Sequence, residues 1–298
     1  MSTHANREAK PRQGGPDIST NDLFRLDERT CKPSINHVFY CNLTSYSTGG
    51  GGSMGLNVAG SVLESGGDVI CIDQMDEPLP GLWSEADALR KKHHGKLSYY
   101  CYDISQSKDI TFFFEKTMQN ARYPLRGFVA CAGISDGGAS IDFDMVRVQR
   151  LLDVNVAGTF ACATAAAKIM HKDTFSCSMV LIASMSGHIS NKGVDTAAYN
   201  ASKAAILQLT RSFAAEWGSR PGSPLIRVNS ISPGYIKTRM TAETLAQPGM
   251  KELWEEDNML NRLSYADEYR GPVMFLLSDA SSFVTGTDVK VIPPNDEY

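Results

Sequence analysis

Short strand-like runs alternate along most of the chain with longer segments of helical periodicity. Six runs have the length and side-chain pattern of buried strands, at residues 67–73, 96–102, 127–131, 178–183, 225–231 and 288–292. Helical patterns lie between them, at residues 57–65, 84–94, 107–121, 144–171, 196–217 and 269–277. Because strands that alternate with helices pair in parallel and need cover on both faces, the pattern predicts an α/β fold.

The pattern also predicts how the chain is organised. We expect a doubly wound parallel sheet of about seven strands with helices on both faces, a three-layer αβα arrangement. No internal repeat or linker divides residues 23–298, so a single domain is expected there. Residues 1–22 are polar and are predicted to be a disordered tail. Residues 238–261 form a polar helical segment between the last two predicted strands, which is a candidate lid over a pocket.

Composition and charge exclude several classes of protein. The 298 residues carry a net charge of −4, and no basic stripe suggests nucleic-acid binding. No apolar run approaches the ~18–20 residues that span a bilayer, and the N-terminus lacks the apolar core of a secretory signal. Seven scattered cysteines, without a Cys-x-x-Cys pair or a His cluster, predict a reduced cytoplasmic setting and no metal site.

A glycine-rich loop runs from Thr48 to Gly55 and opens the first predicted helix. Glycine lets the backbone approach a pyrophosphate, whose charge the helix N-terminus favours. A strand follows and ends at Asp73, where a dinucleotide-binding fold places the acid that binds the adenosine ribose. The loop therefore predicts a Rossmann-like nucleotide site. A carboxylate at Asp73 repels a 2′-phosphate and favours NAD, with NADP less favoured; a helix cap or turn is the alternative role for Asp73.

Tyr199 and Lys203 are four residues apart in a predicted helix, so their side chains share one face. A free tyrosine has a pKa of about 10, and a neighbouring positive charge lowers it toward neutrality. The pair predicts an acid-base site. On its own, the spacing is weak evidence and is far more typical of a solvated helix face.

Further motifs resemble the short-chain dehydrogenase/reductase family from about residue 22 to residue 291. The glycine turn resembles the family's Thr-Gly-x-x-x-Gly-x-Gly, with Ser53 in place of the middle glycine. Asp153–Gly158 resembles the helix that carries a catalytic Asn, and residues 182–187 resemble the strand end that carries a catalytic Ser. Residues 228–238 resemble the Pro-Gly-x-Ile-x-Thr segment that holds the nicotinamide carboxamide. The Ser-Met-Ser-Gly-His sequence at residues 184–188 resembles that of the fungal polyol dehydrogenases that act on sorbitol and arabinitol.

The resemblance implies an oxidoreductase that transfers a hydride between a nicotinamide cofactor and a secondary alcohol or ketone. The small-molecule substrate would be a polyol, a sugar alcohol or a secondary-metabolite alcohol. Tyr199 would move the hydroxyl proton, and Lys203 would lower its pKa and hold the nicotinamide ribose. Ser184 would stabilise charge on the substrate oxygen, with Ser186 as a rival for that role, and Asn155 would orient a water beside Lys203.

The same resemblance implies the cofactor contacts and the assembly. The implied cofactor-binding residues are Gly49, Gly52, Ser53, Met54, Gly55, Asp73, Asp103, Ile104, Gly133, Asn155, Tyr199, Lys203, Ile236 and Thr238. A homodimer or homotetramer would form through residues 144–171 and 196–217, unless these helices only pack within the chain. A catalytically impaired NAD(H)-binding scaffold or sensor is the alternative function.

Two segments depart from the family pattern. Residues 31–47 form an atypical insert, and residues 44–47 are polar where a central strand should be apolar. Residues 38–43 are the alternative strand, which would move the glycines out of register. Because family-like sequence resumes on both sides, we hypothesise that the insert reflects a misassigned exon boundary or a retained intron. After residue 291, Pro293 and Pro294 predict that the last strand stops early.

Overall fold

The computed structural model describes residues 44–191, 193–219 and 221–291, except for the Ser107 side chain. Its strands are β1 Thr44–Thr48, β2 Asp68–Asp73, β3 Leu97–Cys101, β4 Leu125–Ala130, β5 Cys177–Ile182, β6 Ile226–Pro233 and β7 Asp288–Val291. They form one sheet in the order β3-β2-β1-β4-β5-β6-β7, and every pairing is parallel. The predicted seven-stranded parallel sheet is confirmed.

Helices cover both faces of this sheet. They are α1 Ser53–Glu64, α2 Pro80–Lys92, α3 Ile110–Met118, α4 Met145–Leu152, α5 Thr159–Met170, α6 Ala197–Trp217, α7 Ala242–Leu245, α8 Met250–Glu256 and α9 Arg270–Leu277. Phe128 and Met179 belong to the apolar core under α3, α5 and α6, whereas Val129 and Val180 belong to the core under α1 and α9. Successive strand residues thus point to opposite layers, as the pleat requires. The three-layer α/β class is confirmed.

Strand β1 is built from polar side chains and is nevertheless fully buried, with no residue more than 1% exposed. Its polar groups are satisfied within the fold, which removes most of the cost of burying them. The Tyr46 hydroxyl hydrogen-bonds Thr117 Oγ1, and the Tyr46 ring stacks on Phe114 with 4.2 Å between ring centroids. Thr44 Oγ1 donates to the Tyr123 carbonyl oxygen at 3.0 Å.

The polar residues at the end of the insert are therefore compatible with a central strand, and the alternative strand at residues 38–43 lies outside the described residues. Residues 44–48 form β1, and the glycine turn follows directly, so the glycines keep their register against β2 through the bond from Gly50 N to Ile72 O at 2.9 Å. The rest of the insert, residues 31–43, lies outside the described residues. So do the predicted tail at 1–22 and the altered end after residue 291.

The helix predicted over residues 144–171 is interrupted. Its two α-helical parts, α4 and α5, flank a π-helical turn at Asp153–Gly158, which contains Asn155. Single π-turns are widened helical turns that occur frequently at functional sites. None of the described helices is long and apolar enough to cross a membrane.

The predicted lid segment, residues 238–261, contains the short helices α7 and α8. An apolar cluster packs this segment against the residues that follow β6. The Trp254 ring stacks on Tyr235 with 4.4 Å between centroids, and Tyr235 Oη donates to Asp257 Oδ2 at 3.2 Å. Met185, which directly follows Ser184, belongs to the same cluster. The lid is therefore packed against the chain segment that carries the candidate catalytic serine.

Candidate active site

One cleft lies at the carboxyl ends of the central strands, where the strand order reverses between β1 and β4. This is the position at which open α/β sheets bind their ligands. The cleft measures about 1360 Å³ with its open mouth included. Every predicted catalytic and cofactor-binding residue except Asn155 lines it, namely Gly49, Gly52, Ser53, Met54, Gly55, Asp73, Asp103, Ile104, Gly133, Ser184, Tyr199, Lys203, Ile236 and Thr238.

Several lining residues were not assigned individually from the sequence, although some lie in the segments predicted at 182–187, 228–238 and 238–261. They are Gln74, Met75, Leu79, Tyr102, Cys131, Ala132, Ile134, Val154, Ile182, Ala183, Pro233, Gly234, Arg239, Met240 and Thr241. Cys131 and Tyr102 directly follow β4 and β3, so their place at a strand's carboxyl end was a usable signal. Leu79 carried no such signal, because its position depends on a hydrogen bond from its N–H to the Gly51 carbonyl oxygen at 3.0 Å.

The glycine turn forms a close backbone cradle before α1. Gly49 has φ +64°, and a Cβ there would lie 2.6 Å from Ala132 N. A Cβ at Gly55 would lie 2.3 Å from the Gly49 carbonyl oxygen. Only glycine fits these two positions, and the N–H groups at the start of α1 lie directly beyond them. A cradle of this kind fits a dinucleotide pyrophosphate.

Asp73 ends β2 at the other side of the cradle. Its Oδ2 accepts a hydrogen bond from Gly51 N at 3.1 Å, and its Oδ1 accepts one from Met75 N at 3.2 Å. These bonds fix the carboxylate against the glycine turn. Between β2 and α2, the described residues that line the cleft include no cation. This end of the cleft is therefore negative, with Asp103 also at its wall.

Lys203 supplies a buried cation at the opposite end of the cleft. It is 5% exposed, and its Nζ donates to the Ile182 carbonyl oxygen at 2.9 Å. Burial lowers the pKa of Lys203 to about 8, so the amine remains mostly protonated at pH 7. A Cβ at Gly133 would lie 3.5 Å from this Nζ. The glycine therefore keeps the space above the amine open.

The Tyr199 phenol behaves differently from the sequence-based prediction. Burial raises the pKa of Tyr199, and a hydrogen bond with Ser184 opposes the rise. Lys203 Nζ lies 5.8 Å from the Tyr199 ring centroid and is engaged with the Ile182 carbonyl. Burial therefore outweighs the opposing hydrogen bond from Ser184, and Lys203 is not among the groups that shift the pKa of Tyr199 in this arrangement.

Asn155 lies in the π-helical turn and is held by hydrogen bonds within the chain. Its side chain is 1% exposed and does not line the cleft. Asn155 Oδ1 accepts from Ile134 N at 2.9 Å, while Nδ2 donates to the Ile134 carbonyl oxygen at 2.9 Å and to Ser202 Oγ at 3.0 Å. Ser202 Oγ in turn donates to the Tyr199 carbonyl oxygen at 2.7 Å. The amide thus ties the β4 loop to α6, and the role of Asn155 in orienting a water beside Lys203 stays a prediction.

The parallel sheet, the glycine cradle and the Tyr199–Lys203 pair define an α/β dinucleotide-binding protein. Among the residues that the structure describes, no group of three or more side chains could hold a metal ion. The family described as Enoyl-(Acyl carrier protein) reductase matches residues 50–291. The chain belongs to the short-chain dehydrogenase/reductase family.

Individual relatives agree with this assignment. The chain is similar to "Short chain dehydrogenases/reductase notP'" of Aspergillus versicolor, with 49% identity over 96% of this chain and 93% of the relative. It is 33% identical to an NADP-dependent mannitol dehydrogenase of Hypocrea jecorina over 80% of this chain and 85% of the relative. The crystal structure of an NADPH-dependent 3-quinuclidinone reductase from Rhodotorula rubra superimposes with a TM-score of 0.80, covering 96% and 97% of the two chains at 26% identity. The predicted likeness to fungal polyol dehydrogenases is confirmed.

Proposed function

We propose that the protein transfers a hydride between a nicotinamide cofactor and a secondary alcohol or ketone, with NAD preferred over NADP. The proposal rests on one observation, which is that a nucleotide-binding cradle and a group of proton-transfer side chains line the same cleft. The backbone cradle of Gly49 and Gly55 lies at one end, and Ser184, Tyr199 and Lys203 lie at the other. Family membership supports the same reaction class.

The chain's own residues handle the proton and the substrate oxygen. When bound, the cofactor accepts or supplies the hydride. Tyr199 gives or takes the proton of the substrate hydroxyl, and Ser184 donates a hydrogen bond that stabilises charge on the same oxygen. Lys203 places a positive charge at this end of the cleft and favours the phenolate once proton transfer begins. Asn155 fixes the Tyr199 backbone through Ser202.

The preference for NAD rests on Asp73. Its carboxylate is held at the end of β2 by Gly51 N and Met75 N, and the neighbouring lining residues provide no cation for a 2′-phosphate. The Asp73 carboxylate would therefore repel the negative charge of a 2′-phosphate. The mannitol dehydrogenase relative is NADP-dependent by name, so the preference is a proposal for this chain and is tested below.

Two substrate classes have separate support. The name of the mannitol dehydrogenase relative favours a polyol or sugar alcohol. The apolar side chains in the cleft lining, including Ile134, Ile236 and Met240, favour a larger and less hydroxylated alcohol. A panel of ketones with NADH, containing fructose, sorbose, acetophenone and 3-quinuclidinone, separates these classes by their values of kcat/KM.

The variant Tyr199→Phe tests the reaction itself. It removes the proton-carrying hydroxyl and keeps the ring, so we expect kcat for ketone reduction to fall about 10³-fold while the Kd for NADH stays within twofold. An NAD(H)-binding scaffold or sensor would bind NADH without turnover of any ketone. Activity that is unchanged in Tyr199→Phe would contradict the proposed chemistry.

Assembly and location are also proposed. A homodimer or homotetramer formed through α4, α5 and α6 is supported by exposed apolar side chains on these helices, including Met145, Val146 and Phe160. A single domain with residues 238–261 as its substrate lid is supported by the packing of Trp254 on Tyr235. A cytoplasmic location stays a prediction. Size-exclusion chromatography with light scattering measures the assembly.

A further inference from the structure

A chain of hydrogen bonds leads from Ser184 to residues that do not line the cleft. Ser186 Oγ lies 3.1 Å from Ser184 Oγ, and Ser186 is only 4% exposed. Both the oxygen and the nitrogen of the Asn191 side-chain amide lie within hydrogen-bond distance of the Ser186 hydroxyl. Oδ1 lies 3.0 Å and Nδ2 lies 2.8 Å from Ser186 Oγ. Ser186 can therefore either donate to Asn191 or accept from it.

The far end of this chain fixes the orientation of the amide. Asn191 Nδ2 also donates to Thr196 Oγ1 at 3.4 Å, and Thr196 Oγ1 donates to Asn200 Oδ1 at 3.0 Å. Because the Thr196 proton is committed to Asn200, the Thr196 oxygen is left to accept. The amide nitrogen of Asn191 therefore keeps its place between Thr196 and Ser186.

The hydroxyl protons can be arranged in two directions without moving any heavy atom, since hydroxyls rotate. In the first, Ser184 donates to Ser186, and Ser186 donates to Asn191 Oδ1. In the second, Asn191 Nδ2 donates to Ser186, and Ser186 donates to Ser184 Oγ. Only the second direction leaves the Ser184 proton available for a substrate oxygen.

We propose that Ser186 and Asn191 form a reversible hydrogen-bond relay that reverses when substrate binds and turns Ser184 into a donor to the substrate oxygen. They are positioning residues, and the inference rests on the proposed function. Every hydroxyl keeps its own proton, and only the directions of the hydrogen bonds change. Because a hydroxyl that accepts a hydrogen bond becomes a stronger donor, the reversed relay also strengthens the bond from Ser184.

The variant Asn191→Asp tests the direction of the relay. It has nearly the same shape and keeps the acceptor oxygen, but it replaces the donating nitrogen by a second acceptor. The Ser186 proton is then held by the carboxylate, and the relay is locked in the direction that withholds the Ser184 proton. At pH 7.5 we expect kcat/KM for the faster of fructose and acetophenone to fall 10- to 100-fold, with the Kd for NADH within twofold.

The pH dependence distinguishes a relay from a merely structural role. A carboxyl group at position 191 regains a donor when it is protonated, and its protonated fraction rises as the pH falls toward the usual carboxyl pKa of about 3.9. Measured against the wild type at each pH, the deficit of Asn191→Asp should narrow at least threefold between pH 7.5 and pH 5. A deficit that is equal at both pH values would overturn the proposal.

Ser186 variants give an independent readout. Ser186→Ala removes the middle of the relay, and we expect kcat to fall about tenfold, while Ser186→Thr keeps the hydroxyl and should restore at least half of the activity. Ser190→Ala is the matched control, because Ser190 is exposed on the same loop, and it should have no effect. Wild-type activity retained within twofold by both Ser186→Ala and Asn191→Asp would refute the relay. A wild-type chain that binds NADH but turns over neither ketone would instead refute the proposed function.

Discussion

The two ends of the cleft differ in their charge and in the kind of groups that form them. The end at β2 is negative, and it is built from backbone groups and the Asp73 carboxylate. The catalytic end is built from side chains of α6 and of the turn after β5, around the buried cation Lys203. In the proposed function, the first end recognises the cofactor by shape and charge, and the second end moves protons. Changes at the β2 end should therefore alter affinity, and changes at the catalytic end should alter turnover.

Lys203→Met should have the largest effect, because it should lower turnover and raise the free energy of unfolding at the same time. The amine supplies the charge at the catalytic end, so we expect kcat to fall at least 100-fold, an effect of the size that acid-base groups contribute. Burial lowers the folded-state pKa of Lys203 from 10.5 to about 8. The charged amine is therefore less favourable in the folded chain than in the unfolded chain, and its removal should raise the free energy of unfolding by about 1–3 kcal/mol at pH 7.

The sign of this stability effect depends on pH. The destabilisation is complete below pH 8 and is lost as the pH rises toward 10.5, because the amine then becomes neutral in both states. Urea unfolding at pH 7 and pH 9.5 should show the advantage of Lys203→Met shrinking at the higher pH. Lys92→Met is an exposed control and should stay within about 0.5 kcal/mol of wild type. A Lys203→Met variant that is less stable than wild type at pH 7 would contradict this account.

Gly55→Ala should damage the other end of the cleft. Its Cβ would lie 2.3 Å from the Gly49 carbonyl oxygen and 2.7 Å from Gly50 Cα, so backbone must move. We expect NADH affinity to fall at least tenfold and the free energy of unfolding to fall by about 1–3 kcal/mol. Gly52→Ala is the matched comparison, because the nearest atom to its Cβ is 3.4 Å away. Calorimetric titration and thermal unfolding should show Gly52→Ala close to wild type in stability; equal losses in both variants would refute the cradle.

Asp73→Asn should have the smallest effect and should change cofactor preference alone. The amide keeps an oxygen that can accept from Gly51 N or Met75 N, but it removes the negative charge. We expect the ratio of NADPH to NADH affinity to rise about tenfold, in line with a partly screened charge interaction. Glu77→Gln is an exposed control outside the cleft lining and should change the ratio less than twofold. The proposal for Asp73 fails if the ratio is the same in Asp73→Asn and wild type.

Most of the sheet could be predicted from the sequence, because β2 and β4 to β6 show apolar runs that end at their cleft residues. Strand β1 could not, since its polar side chains resemble a loop. The partner of the Tyr46 hydroxyl is Thr117, 71 residues away. A pairing at that distance leaves no local pattern, so the sequence left residues 38–43 open as an alternative strand.

The candidate site shows the same division. Asp73, Tyr199 and Lys203 are identified by motif and spacing, and all three line the cleft. The state of each group depends on contacts that no motif contains. Lys203 Nζ donates to the Ile182 carbonyl oxygen, and the Asn155 amide is hydrogen-bonded to Ile134 and Ser202. Residue identity was therefore predictable, whereas the pKa of Tyr199 and the partners of Asn155 were not.

Titration of the wild-type chain with NADH and then NADPH, followed by tryptophan fluorescence or calorimetry, tests the central claim most directly. The claim is that a polar but fully buried β1 still presents the glycine cradle in register with Asp73. The account predicts saturable NADH binding with a micromolar Kd and weaker binding of NADPH. Failure of both cofactors to bind would contradict it, because the cradle would then not hold a dinucleotide.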